Sequence, residues 1–261
     1  MRILFIGDIV GTPGVGIVKA AVPLLRVRES LDLVVANAEN ASGGSGMSPS
    51  VYRQLRAAGV DAFTMGDHIY KKFDLAGILA DPAEPICKPA NYPANAPGRD
   101  FVLVGEVAVI SLMGRTFMRA VDCPFAAADR VLKELAGRAK IILVDAHAEA
   151  TADKYLLAHY LDGRVSAVLG THTHVPTADE QIRPGGTAFI CDVGMTGPYE
   201  GILGRRADRV LETAITFVPT SFDVASSDVR LSGAVVDVDA NGKATGIRRL
   251  TFREAELPGV F

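Results

Sequence analysis

Four of the five histidines and three acids of this chain stand where an apolar, strand-like run gives out. ILFIG ends at Asp8, LVVANA at Glu39, AFTMG at Asp67 and His68, IILVDA at His147, and VSAVLG at Thr171-His172-Thr173-His174. In a sheet of buried strands the carboxyl ends open onto a shared crevice, so residues far apart in sequence converge there. Neutral imidazole and carboxylate are the side chains that hold divalent first-row metals, and the pattern points to a metal site. Residues two apart in an extended segment face the same way, which predicts that His172 and His174 present two imidazoles to one side.

Each residue also has a plainer reading. Asp8 lies in Gly7-Asp8-Ile9-Val10-Gly11-Thr12-Pro13-Gly14, which reads as a phosphate-cradling loop or as a helix cap, although its spacing matches neither G-x-G-x-x-G nor a Walker A loop. Glu39 could bridge two cations through its two oxygens, with the Asn40 carboxamide as a neutral ligand; the alternative is a polar loop start. Asp67 offers a further ligand, and His68, next in sequence, lies close enough for a general acid without having to bind metal. His147 alone would read as a structural residue at the end of a strand. The Thr-His-Thr-His tetrapeptide shifts the balance, because five strand ends converging on oxygen and nitrogen donors are hard to obtain by chance. His159, inside the helical segment TADKYLLAHY, is assigned to packing or surface, and Asp145, Asp153, Asp162 and Asp192 to capping. The loop Asp192 to Pro198 could line a substrate pocket, although turn chemistry accounts for its glycines and proline.

The elements that must carry these residues follow from alternating apolar and amphipathic segments. Strands are expected near 2–7, 32–37 and 61–65 and helices near 15–29, 48–58 and 70–80, a βαβ alternation. Five prolines between Asp81 and Gly98 exclude regular helix and predict an ordered loop. Strands near 100–104 and 107–112, a helix 124–138, a strand 140–145, a helix 152–161 and strands 165–169 and 187–191 follow. LSGAVVDVD and ATGIRRLTF flank an Asn-Gly signal and predict an antiparallel hairpin. The mixture suggests two packed sheets with helices outside.

With 261 residues and 49% hydrophobic content, the chain suits one domain over 1–261. A net charge of -3 without a basic block lacks the footprint of a dedicated nucleic-acid binder, so no stable nucleic-acid complex is expected; a nucleotide or short RNA end is compatible. Cys87, Cys123 and Cys191 form no C-x-x-C pair and suit a reducing compartment. No signal h-region or membrane-spanning run is present, and the expectation is a cytoplasmic protein with no membrane partner. A homo-oligomer is compatible with the hairpin edge.

With these segments in order, the chain resembles the calcineurin-like metallophosphoesterases and, within them, the YmdB-like family of bacterial cyclic-nucleotide phosphodiesterases. The resemblance runs nearly end to end. It rests on Met1-Arg2-Ile3-Leu4-Phe5-Ile6-Gly7-Asp8, Ala38-Glu39-Asn40-Ala41, Thr64-Met65-Gly66-Asp67-His68, His147-Ala148-Glu149-Ala150-Thr151, Val168 to Val175 and Asp192 to Pro198. It implies an α/β fold, a four-layer α/β/β/α metallophosphoesterase sandwich with mixed sheets. It further implies a dinuclear centre with Asp8, Asn40 and His174 on one metal, Asp67, His147 and His172 on the other, Glu39 between them and His68 as proton donor. The ions would be divalent or mixed-valence, iron or manganese. One position departs from the family pattern: Asp67 stands where Asn is usual. Two divalent ions, three carboxylates and one bridging hydroxide then sum to about zero, where the family pattern leaves about one positive charge. Tighter metal retention and weaker Lewis acidity are the expected result.

The expected activity is phosphodiester hydrolysis by attack of a metal-bridging hydroxide on phosphorus, with 2',3'-cyclic nucleotides as the leading small-molecule substrates and 3',5'-cyclic nucleotides second. A metal-dependent amide or ester hydrolase also uses H-x-H, but those barrels place it on the first strand. A non-catalytic metal-dependent nucleotide sensor is the alternative from another class, and Asp67 gives it some weight. A dinucleotide-binding enzyme fails on the glycine spacing.

Overall fold

Period-two alternation along the buried strands sends neighbouring side chains into different cores. In the first strand Ile3 and Phe5 enter one apolar cluster while Leu4 and Ile6 enter another, and Leu143 and Val144 part in the same way further along. The structure, a computed structural model, describes residues 1–258. In chain order its elements are β1 (Arg2–Ile6), β2 (Asp8–Ile9), α1 (Gly11–Arg28), β3 (Leu33–Asn37), α2 (Pro49–Ala57), β4 (Ala62–Thr64), α3 (Ala76–Ala80) and β5 (Ile86–Cys87). Next come β6 (Phe101–Val104), β7 (Val107–Met113), α4 (Pro124–Leu135), β8 (Ile141–His147), α5 (Thr151–Leu161), β9 (Ala167–Thr171) and β10 (Gln181–Ile182). The remainder are β11 (Ala188–Ile190), β12 (Met195–Pro198), α6 (Ala207–Thr216), β13 (Val229–Val238) and β14 (Ala244–Arg253).

An eight-stranded sheet runs β2-β12-β13-β1-β3-β4-β5 with β14 on β13, and a six-stranded sheet runs β10-β11-β9-β8-β7-β6. Both are mixed: β1, β3, β4 and β5 are parallel while β13 is antiparallel to β1, and β7, β8, β9 and β11 are parallel while β6 is antiparallel to β7. Ile3, Phe5 and Val35 from the first sheet meet Val109, Leu143 and Leu169 from the second in the central core. The outer face of the first sheet is covered by α1, α2 and α3, and that of the second by α4 and α5. This is the α/β/β/α four-layer sandwich expected from the sequence. It sets the carboxyl ends of β1, β3, β4, β8 and β9 on one edge, as parallel strands require.

Several sequence expectations are corrected. The helix expected at 15–29 begins at Gly11, whose N–H donates to the Asn40 carbonyl at 3.0 Å. With that donor used, Gly14 N donating to Val10 O at 3.2 Å and Pro13 having none, the phosphate-cradle reading of this turn loses most of its N–H groups. Gly7 and Gly14 serve packing instead, since a Cβ on either would run into the backbone of Gly194 or Thr196. The helix expected at 70–80 shrinks to a 3-10 turn at Phe73–Leu75 and α3, because Gly66 to Lys71 is turned around the site, with Ile69 N donating to Gly66 O and Lys71 N to His68 O. The Pro-rich stretch is an ordered loop except at β5. Within the 192–198 segment read as a turn-rich loop, β12 pairs with β2 and β13. The terminal hairpin forms, with Asp239 accepting from Asn241 N and Lys243 N in its turn. Helix α6, absent from the sequence reading, buries none of its residues. The span expected for the domain, 1–261, includes 259–261, which lie outside the described residues. Among the described residues no disulfide forms and no helix is long and apolar enough to cross a membrane.

Candidate metal centre

All eight residues singled out by position converge on that edge. Glu39 Oε1 lies 3.4 Å from His147 Nε2 and 3.4 Å from His68 Nδ1, and it accepts from Asn40 Nδ2 at 3.1 Å. Its Oε2 accepts from His68 N at 3.0 Å. Asp67 Oδ1 stands 3.3 Å from His147 Nε2 and 3.6 Å from His172 Nδ1. Donor atoms of Glu39, Asp67, His147 and His172 thus all fall within 4.8 Å of one another. On the other side of Glu39, His174 Nε2 is 3.8 Å from Asp8 Oδ1 and 3.4 Å from Asn40 Nδ2. Asp8 and His174 thus form a second pair of donor atoms, tied to Glu39 through the Asn40 amide.

The imidazoles are held by their far nitrogens. Thr171 Oγ1 donates to Asp145 Oδ1 at 2.5 Å, so its lone pair is available to the His147 Nδ1–H at 2.8 Å, which turns Nε2 toward Glu39 and Asp67. Asp145 also accepts from Thr64 Oγ1 at 2.5 Å and Asn37 Nδ2 at 2.9 Å. His174 Nδ1 donates to the Leu203 carbonyl at 3.2 Å and His172 Nε2 faces Glu149 at 3.3 Å, so each turns its other nitrogen inward. Fixing the tautomer through the outer nitrogen is how proteins prepare histidine for a metal.

The loop carrying His172 and His174 is not extended, contrary to the sequence reading. Strand β9 stops at Thr171, and His172 and His174 take φ values of 91° and 67°, a left-handed region costly for residues with a Cβ. The surroundings hold them there. His172 N donates to Asp8 Oδ2 at 3.0 Å, while Thr173 N and Oγ1 donate to Asp192 at 3.2 and 2.7 Å. Asp192 is itself in a fully buried ion pair with Lys154 at 2.7 Å. The result is that the two imidazoles enter different donor groups, one on each side of Glu39.

Two of the acids at the centre, Asp8 and Glu39, are fully buried. Burial pushes the Asp8 carboxyl up to about 6 against the opposing charges of His174 and His147. Its Oδ1 is buried and, among the described residues, has no hydrogen-bond partner. Burial also works to raise the Glu39 carboxyl, but the charges and hydrogen bonds of His147 and His68 hold it well below the usual range. Burial, followed by the charge of His147, lowers His172 to about 4, which keeps that imidazole neutral. An orphaned carboxylate oxygen among imidazoles and acids fits divalent cations, and the residues present suit the metals that the sequence implies.

Sequence reasoning missed part of this arrangement. Asp145 and Asp192, read as caps, are fully buried acceptors that orient His147 and the histidine loop. Their signal was faint: an acid inside the apolar run IILVDAH has to find buried donors. His159 is exposed and bonds Arg183, in keeping with its reading. Gly66, unremarked in the sequence, has to lack a side chain, because a Cβ there would collide with His147 Nε2 and Glu39 Oε2.

A family model described as YmdB-like protein matches residues 4–250 of the chain. The chain is 45% identical over 262 residues to the 2',3'-cyclic-nucleotide 2'-phosphodiesterase of Bacillus subtilis (strain 168), with 98% of this chain and 99% of the relative covered. It is similar to a crystal structure of a hypothetical protein from Thermus thermophilus, with a TM-score of 0.91 and 42% identity over 97% of this chain and 99% of that one. It is likewise similar to a crystal structure of a phosphatase from Mycoplasma pneumoniae, with a TM-score of 0.90 and 29% identity over 97% of this chain and 93% of that one.

Proposed function

This chain belongs to the YmdB-like protein family, and on that premise we propose that it is a single-domain, dinuclear phosphodiesterase acting on 2',3'-cyclic nucleotides, with 3',5'-cyclic nucleotides as poorer substrates. The observation that carries the reading is the cluster of Glu39, Asp67, His147 and His172 donor atoms within 4.8 Å, with Asp8, Asn40 and His174 on the far side of Glu39. Asp8, the Asn40 carboxamide oxygen and His174 would hold one cation, and Asp67, His147 and His172 the other, with Glu39 shared; iron or manganese suits this oxygen and imidazole set. When bound, such ions supply an activated water and neutralise phosphate charge.

The remaining work falls to the protein. His68 Nδ1 donates to Asn40 Oδ1 at 2.7 Å, which leaves Nε2 for the leaving oxygen. A hydrogen bond to Glu39 and the charges of Glu39 and Asp67 overcome burial and raise the His68 pKa, so the imidazole retains a proton to give. As the new P–O bond forms, the bond from phosphorus to the ribose oxygen breaks and that oxygen takes the His68 proton, giving a nucleoside monophosphate. The buried Asp145–Thr171–His147 chain keeps the receiving geometry fixed during the exchange.

The test pairs metal analysis of protein purified without chelator with hydrolysis assays on 2',3'- and 3',5'-cyclic nucleotides. About two ions per chain and faster turnover of the 2',3' substrates are expected. Metal-loaded protein that binds these nucleotides without consuming them would establish a sensor instead, the role that the Asp67 departure leaves open.

Asp67→Asn separates charge from ligation. Removing one carboxylate charge is expected to weaken metal binding on the order of tenfold and to raise turnover per loaded site. Asp67 Oδ2 lies 3.7 Å from His68 Nε2 and helps raise its pKa. The alkaline limb of the pH-rate profile, where His68 loses its proton, is therefore expected to move to lower pH in the variant. Unchanged metal retention, turnover and profile would leave the Asp67 charge without a role.

A further inference from the structure

Beside the metal centre, Tyr70, Tyr92, Pro93, Arg119 and Val121 wall a cavity of about 290 Å³. Tyr70 follows His68 by two residues, and its ring lies 6.1 Å from that of Tyr92 at 40°. The Tyr70 hydroxyl donates to the Pro97 carbonyl at 2.6 Å, which pins the ring as a wall. Tyr92 is only 5% exposed, and its buried hydroxyl has no hydrogen-bond acceptor among the described residues, since the Arg119 guanidinium beside it can donate to that oxygen but cannot take its proton. Buried hydroxyls ordinarily spend their proton, and the unspent Tyr92 O–H suits an acceptor on a molecule seated in the cavity that this residue lines. Burial pushes the Tyr92 pKa up while the Arg119 guanidinium beside it pulls the other way, and the charge of Asp67 acts on both residues. Tyr70 sits inside the turn that His68 begins, where Lys71 N donates to His68 O at 3.0 Å, so its end of the cavity lies on the His68 flank of the site.

We propose that this cavity is the nucleoside subsite of the hydrolytic centre, with the base stacked on the tyrosine wall and hydrogen-bonded by the Tyr92 hydroxyl and the Arg119 guanidinium; the inference rests on the phosphodiesterase reading given above. The chemistry dictates the side. In a cyclic nucleotide the leaving oxygen belongs to the ribose, so the group that protonates it stands on the nucleoside side of phosphorus. His68 is that group, and Tyr70 continues from its turn. The volume agrees as well: whole-ligand pockets run from about 300 Å³ upward, so this cavity suits the base alone, with ribose and phosphate reaching back toward the carboxylates and imidazoles. Ring nitrogens and exocyclic carbonyls of a base accept hydrogen bonds, which is what a tyrosine hydroxyl and a guanidinium donate. An aromatic wall holds any base by its π-face.

The experiment uses the metal-loaded full chain and two substrates with the same reacting bonds, a nucleoside 2',3'-cyclic phosphate and 1-O-methylribose 2',3'-cyclic phosphate, which lacks the base. The native chain is expected to favour the nucleoside substrate by about tenfold or more in kcat/KM, expressed mainly in KM. Tyr70→Ala is expected to remove most of that ratio, and Tyr92→Phe and Arg119→Gln each to reduce it by roughly fivefold, about one hydrogen bond's worth. A native ratio near one, or variants that depress both substrates alike, would overturn the subsite. A parallel competition between nucleoside 3'-monophosphate and ribose 3-phosphate for the loaded protein separates the two proposals. If neither cyclic phosphate is hydrolysed but the nucleoside monophosphate binds more tightly and Tyr70→Ala abolishes that preference, the subsite stands and the hydrolytic reading falls. Equal binding of the two phosphates defeats the subsite.

Discussion

His68→Ala is expected to lower kcat by about a hundredfold to ten-thousandfold, the usual contribution of a positioned general acid, while metal content stays close to that of the native chain. The geometry separates the two readouts. His68 contacts the centre through Asn40 Oδ1 at 2.7 Å and Glu39 at 3.0 and 3.4 Å, and the shorter Glu39 contact is made by its backbone N–H, which alanine keeps. The other donor atoms are fixed by partners that do not involve the imidazole: Thr171 for His147, Leu203 for His174, and the His172 N–H for Asp8. Loss of the side chain therefore removes a proton source and leaves the cations their donors. Substrates whose leaving group needs no proton, such as p-nitrophenyl phosphodiesters, are expected to lose less. Should His68→Ala empty the site of metal, His68 is a ligand and the assigned role is wrong; full activity with a poor leaving group would remove it from the chemistry altogether.

Gly66→Ala is expected to abolish metal binding, and with it turnover, in a protein that remains folded. The backbone at Gly66 is not in the left-handed region, so alanine meets no conformational obstacle. The obstacle is the site itself, because the new Cβ would occupy the space of His147 Nε2, His147 Cδ2 and Glu39 Oε2. Overpacking of this kind costs about 1–3 kcal/mol, less than the roughly 5–15 kcal/mol by which folded domains exceed their unfolded chains, so fold and site part company. A suitable control is Gly16→Ala in the interior of α1, where a Cβ meets nothing within 4 Å. There alanine is expected to raise thermal stability by up to about 1 kcal/mol and leave metal binding alone. Metal analysis and a thermal melt on the two variants check both statements. A Gly66→Ala protein with native metal content would show that His147 and Glu39 can give way, and that the donors are not held as tightly as their hydrogen bonds imply.

The donor inventory was legible before any coordinates. Asp8, Glu39, Asp67 and His147 each close an apolar run, and strand ends of parallel sheets meet at one edge, so type and position together named the centre. The hairpin at Asn241-Gly242 and the two-sided alternation of β1, β3, β8 and β9 were likewise local signals, because period two and turn chemistry act between near neighbours in the chain. The element at 70–80 was misread for the opposite reason. Its residues favour helix locally, but hydrogen bonds at Gly66 and His68 curl the segment around the site, and tertiary contacts outweigh a weak propensity.

Residue type and order along the chain were enough to expect which side chains would meet at one sheet edge. How they are shared out was left to long-range contacts. His172 and His174 enter separate donor groups because Asp8 and Asp192, distant in sequence, hold a non-glycine loop in left-handed conformations. Asp145 became an orienting carboxylate, and Tyr92 a buried hydroxyl without an acceptor in the wall of a cavity, through neighbours that no local pattern records. Periodicity reports which face a residue takes. The partner waiting on that face depends on segments far away in the chain, and only their packing supplies it.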